Sequence, residues 1–126
     1  MQNTNKQPPL QLQFDHQPCL VQFTKGLYRV FILGGYYVKA GKQFNILVTD
    51  LQTKETIPVN EKLFKLRCRK NGQPAIKYFD FEIPHNGSYQ VSILHFNDLL
   101  VKKSMLVSAR FFQQPVALSG LTLLIE

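Results

Sequence analysis

Apolar and polar residues alternate from Phe79 to Ile83, the pattern breaks at Pro84-His85-Asn86-Gly87, and it resumes from Tyr89 to Leu94. A period of two places successive side chains on opposite faces, and Asn-Gly accepts the positive φ of a tight turn. The stretch therefore predicts two half-buried antiparallel strands sharing one core. The same period recurs upstream, where Leu10, Leu12 and Phe14 alternate with Gln11 and Gln13 and a second short strand runs from Leu20 to Thr24. From Leu27 to Leu33 both faces are apolar, with Tyr28, Val30 and Ile32 on one and Leu27, Phe31 and Leu33 beside Arg29 on the other. Such a strand belongs at the centre of a sheet, covered on both sides.

Glycine and proline punctuate the rest. Gly34-Gly35 permits a bend before Tyr36-Tyr37-Val38, Ala40-Gly41-Lys42 turns the chain into Phe44 to Val48, and the proline of Ile57-Pro58-Val59 suits a sheet edge. Phe64, Leu66 and Cys68 then alternate with Lys65, Arg67 and Arg69 until Asn71-Gly72-Gln73-Pro74 breaks the run. A two-residue Asn71-Gly72 turn sets Leu66 against Lys77. A four-residue loop sets Phe64 against Phe81, Leu66 against Phe79, Lys65 against Asp80 and Arg67 against Tyr78, and cross-strand matching favours this longer loop. Tyr89 to Phe96 and Leu99 to Val107, joined at Asn97-Asp98, read as a further hairpin, followed by Phe111-Phe112 and Leu121 to Ile125.

No long window spaces its apolar residues by three and four, so little helix is expected. About nine or ten short strands in one flat sheet would leave an apolar face in water. The expected fold is all-β, an antiparallel β-sandwich of jelly-roll or immunoglobulin-like kind; an oligonucleotide-binding barrel uses too few strands to be preferred. Ten Phe, five Tyr and no Trp agree with a strand-rich chain. At 126 residues the sequence makes a single domain, 10–126, preceded by a polar arm over residues 1 to 9 that is too poor in apolar groups to become ordered by burial. Gly26 to Leu33 and Gly87 to Leu94 share Gly-x-Tyr-x-Val-x-Ile-Leu, five identities in eight positions, as a duplicated unit in two similar half-sandwiches would.

A net charge of +7 adds attraction to nucleic acid, anionic surfaces or acidic partners. The candidate contact surface is a basic stripe, Lys65, Arg67, Arg69 and Lys70 with Lys77 and Tyr78 on the adjoining strand, which Lys39, Lys42, Lys102 and Lys103 would widen. Cations beside an aromatic ring can neutralise phosphates and stack on bases, and the same stripe can meet an acidic protein or guard a sheet edge. Catalytic and metal-binding patterns are not found. Asp15, Asp50, Glu55, Glu61, Asp80, Glu82, Asp98 and Glu126 form no recognisable acid/base pairing, and Lys65 and Arg67 offer themselves as partners for Asp80 and Glu82. His16, His85 and His95 lack metal-ligand spacing, no serine sits in a nucleophile elbow, and Cys19 and Cys68 read as reduced thiols packed as small apolar groups.

The N-terminal residues lack a signal-peptide pattern, so the expected setting is the cytoplasm or a particle assembled inside the cell. No apolar run reaches the length of a membrane span. The sequence thus points to a non-enzymatic subunit without cofactor or metal, acting by contact with other protein subunits, a virion-shell-type component being the most concrete form. A nucleic-acid-binding module using the basic ribbon is the alternative, and a glycan- or ligand-binding module using Tyr36, Tyr37 or Tyr78 is a third.

Overall fold

The computed structural model describes residues 9–15, 17–35, 37–39, 41, 43–97, 99–102 and 121–126. These form eleven strands and no helix: β1 (Leu10–Gln13), β2 (Cys19–Phe23), β3 (Gly26–Leu33), β4 (Tyr37–Lys39), β5 (Asn45–Asp50), β6 (Thr56–Ile57), β7 (Val59–Lys70), β8 (Gln73–Ile83), β9 (Gly87–Leu94), β10 (Leu100–Lys102) and β11 (Thr122–Ile125). The expected arm lies outside the described residues apart from Pro9, as do Tyr36, Lys42 and Phe111-Phe112.

All pairings are antiparallel. One sheet has five strands in the order β1-β11-β3-β8-β7, a second has four in the order β2-β9-β5-β6, and β4 and β10 make a separate ribbon. The partners are drawn from the outside of the chain inward, β1 with β11, β2 with β9, β3 with β8 and β5 with β6. Strands β1, β2 and β3 therefore alternate between sheets. Pro58, which cannot donate to a ladder, stands where the chain leaves β6 at the rim of one sheet and becomes β7 at the rim of the other.

Residues from both sheets meet in one apolar cluster. Phe23 of β2, Tyr28 of β3, Phe81 of β8 and Tyr89 of β9 pack with ring centroids 4.7 to 5.8 Å apart. Towards the opposite strand ends, Phe14, Phe44, Tyr78, Phe79 and Phe96 form a second group of rings. Rings of this size, in tilted and edge-on contacts, fill the gap between two sheets without tryptophan. The expectation for β3 holds: it lies between β11 and β8, and its outer residues Phe31 and Leu33 are buried with Ala75, Leu124 and Cys68 in a smaller cluster.

Two details differ from simple alternation. Val30 faces Phe79 but Phe31 faces Lys77, so Tyr78 is an extra residue in β8 and the facing of that strand reverses there. Ile76 points into the core before the bulge, Phe79, Phe81 and Ile83 after it, and Tyr78 is buried as well. A further register shift lies in β7 between Glu61 and Leu66. The hairpin closes on the two-residue Asn71-Gly72 turn, with Lys70 opposite Gln73 and Leu66 opposite Lys77, not on the four-residue loop. Asn71 and Gly72 have φ of 54° and 75°, the left-handed pair that a tight hairpin turn requires. The longer loop matched apolar partners only because the count ran unbroken through the bulge. Likewise Tyr89 to Phe96 makes no hairpin with the segment after Asn97: β9 pairs with β2 and β5, and β10 pairs with β4, while residues 103–107 lie outside the described residues.

The two copies of Gly-x-Tyr-x-Val-x-Ile-Leu are β3 and β9, interior strands of different sheets. Each tyrosine hydroxyl donates back to the carbonyl four residues upstream, Tyr28 to Thr24 at 2.8 Å and Tyr89 to His85 at 2.7 Å. Both bonds brace a loop where the chain crosses from one sheet to the other, as tyrosine corners do in other two-sheet proteins. The echo in sequence thus has a structural counterpart.

Phe79 is fully buried against Phe44 and Tyr78, so Phe79→Ala is expected to cost about 3–5 kcal/mol in urea unfolding. Leu27→Ala, on an exposed outer face, is expected to stay within about 0.5 kcal/mol of the unsubstituted chain.

Candidate functional site

The predicted basic stripe is divided by the edge strand that carries it. Register places Leu66, Cys68 and Lys70 on the same face as Lys77, which is the outer face of the five-stranded sheet, and alternation places Arg67 and Arg69 on the other. Lys65 folds over Tyr78, its Nζ 4.7 Å from the ring centroid, and bonds Glu61 at 3.0 Å and the Lys62 carbonyl. Tyr78 is only 7% exposed beneath it, and burial, then the Glu61 charge, pushes its phenol up to about 12. It stays neutral and is not offered to a ligand. Asp80 is held by Lys62 at 3.1 Å and Asn60 at 3.4 Å, so the partner expected in Lys65 is replaced by one three residues earlier, a consequence of the shifted register.

On the outer face, Lys70 reaches over the Phe31 ring, 4.7 Å from its centroid, and pairs with Glu126. Arg29 lies beside Glu126, their backbones exchanging hydrogen bonds at 2.7 and 2.9 Å. With Lys77, Leu66 and the arginines of β7 these residues line an open groove of about 460 Å³. Cys19 and Cys68 carry free thiols, each partly buried against an apolar cluster.

A second polar constellation lies at the corner end of the body. Asp50, the last residue of β5, is 2% exposed and is the one buried charged residue among those described. Its Oδ1 accepts the N–H groups of Gln52 at 2.8 Å and Thr53 at 3.3 Å, and its Oδ2 accepts Nε2–H of His85 at 2.7 Å. His85 Nδ1 lies 3.1 Å from the Asn86 carbonyl, and Asn86 Oδ1 accepts the Lys25 N–H at 2.7 Å. The network ties the loop after β2, the turn after β5 and the loop after β8 to one another. Burial alone would raise the Asp50 carboxyl, but the Gln52 and Thr53 amides and His85 outweigh it and hold the carboxyl below its usual value. The Asn86 carbonyl, against partial burial and helped by Asp50, pushes the His85 imidazole up. Both ring nitrogens face acceptors, so the imidazolium satisfies them together and neither is left to act as a base.

No protein-family model, curated protein or solved structure matches this chain. Its function is therefore argued from its own residues. Among those described, no helix is long and apolar enough to cross a membrane.

Sequence reasoning missed the Asp50–His85 pair. The only local signal was Asp50 ahead of Leu51-Gln52-Thr53, the spacing at which an aspartate caps a turn. His85 was placed in a turn, but nothing in the spacing joined it to Asp50.

The pair generates a pH dependence of stability. His85, shifted up, contributes stability that is complete below its ordinary 6.5 and is lost as the pH rises through its folded value. Asp50, shifted down, contributes stability that is complete above its ordinary 3.8 and is lost as the pH falls through its folded value. Urea midpoints should therefore show the full contribution of the pair between about pH 4 and 6.5 and decline above that window. His85→Gln should abolish the alkaline decline; a decline unchanged in that variant would show that another group causes it.

Proposed function

We propose that the chain is a non-enzymatic jelly-roll subunit that works by protein–protein contact within a larger assembly, a virion-shell-type component being the most concrete form. The observation that carries this reading is the nested pairing. Taking β1, β2, β3, β5, β6, β8, β9 and β11 as eight strands, the outermost pair with each other, then the next, and successive strands alternate between the two sheets except β5 and β6, the hairpin at which the order turns back. That is how a long hairpin rolled into two layers is ordered, and viral shell proteins are among the domains built so. In the immunoglobulin-like order the first two strands are neighbours in one sheet, whereas β1 and β2 lie in different sheets.

Fold alone does not assign function, so the surface must supply the rest. Leu20 and Leu27 stand exposed on strands β2 and β3, each a large apolar group that contact with another subunit would cover. The Asp50–His85 pair is saturated by its own hydrogen bonds, which suits a brace between loops better than a reactive centre.

Light scattering on the full chain at low and high salt tests the reading. A closed oligomer of defined mass is expected, and its loss in a chain lacking residues 1 to 9 would place the contact in that arm. A monomer at every concentration and salt would overturn it.

A further inference from the structure

The groove on the outer face of the five-stranded sheet has no role in holding the two sheets together. Across it, Phe31 of β3, Lys77 of β8 and Leu66 of β7 stand in one cross-strand row, so a cation sits between two apolar groups. Arg29 lies two residues from Phe31 on the same face, and Arg67 and Arg69 also line the groove. The lone carboxylate in the lining, Glu126, already holds Lys70. Among the described residues no carboxylate lies within ion-pair distance of Arg29 or Lys77. The nearest acid by register, Asp80 opposite Arg29, is committed to Lys62. Arg29 and Lys77 thus place positive charge here without a carboxylate beside it, an arrangement that repels itself until an anion arrives.

We propose that this groove binds single-stranded nucleic acid, with Arg29 and Lys77 on phosphates and Leu66 against a base. The groove is open to solvent, so an extended chain can lie along it. Its lining then decides between extended polyanions. Guanidinium groups pair with phosphate in a fixed fork and also lie flat on bases, and Leu66, 59% exposed amid the cations, offers an apolar surface against which a base can rest. An acidic peptide would pair its carboxylates with the same cations but brings no flat base to cover Leu66. The inference goes beyond the assembly reading and holds whether or not the chain oligomerises.

Fluorescence anisotropy with a short labelled oligothymidine tests it. Binding is expected at low salt, with log K falling linearly against log salt by about 0.7 for each phosphate contacted. Arg29→Glu combined with Lys77→Glu should lower the affinity at least about tenfold and flatten the slope. Lys54→Glu, in the turn after β5 of the other sheet, should leave both unchanged. In the unsubstituted chain the oligonucleotide should protect Lys77 from acetylation, a readout independent of how the variants fold. Absence of binding at low salt, equal loss in the Lys54 variant, no protection of Lys77, or equal competition by oligoglutamate would each overturn the proposal.

Discussion

Two sheets stay together here because one set of aromatic rings belongs to both. Phe23 and Tyr89 enter from the four-stranded sheet, Tyr28 and Phe81 from the five-stranded one, and Phe23 touches the other three close to the corner loops. Non-directional burial favours any compact arrangement of such rings, so something must also fix the distance and angle between the layers. The tyrosine hydroxyls do this. Each carries an apolar ring into the core and a donor to the loop that links the layers, so packing and loop geometry are set by the same side chain.

The charges divide along the same line. Where the loops cross, Asp50 is buried and matched by His85, Gln52 and Thr53; among the described residues no buried side-chain nitrogen or oxygen lacks a partner. On the outer face of the β7–β8 hairpin, away from those loops, cations outnumber carboxylates and remain wet. A buried charge unmatched by partners would cost too much to keep, whereas an exposed one is screened and cheap to hold. The fold can therefore carry an excess of positive charge only on a surface that its core does not need.

Much of this was legible in the period of the sequence. Alternation identified most of the strands, both faces of β3 and the edge nature of Ile57-Pro58-Val59, because each depends on local spacing and on what water will tolerate. What failed was whatever required knowing a partner. The bulge at Tyr78 leaves no mark in composition, since Tyr78-Phe79 reads as ordinary alternation until Val30 and Phe31 are set beside it. Lys70 and Lys77 were grouped with Arg67 and Arg69 in one stripe, but the edge strand turns them to the opposite face. Asp50 ends β5 and His85 lies in the loop before β9, and they meet because Tyr89 of β9 lies opposite Asp50.

The nested order of pairing has a consequence for how the molecule is made. A chain leaving the ribosome exposes β3 early, with apolar residues on both faces, yet one of its two neighbours in the sheet is β11 and the other is β8. Neither can be supplied by a local hairpin. Loops spanning much of the chain must close before these contacts stabilise anything, so folding should be slow for the size of the domain and late in synthesis. Until then β3 is a bare, sticky segment, and the period before closure is when aggregation or chaperone capture competes with the native state.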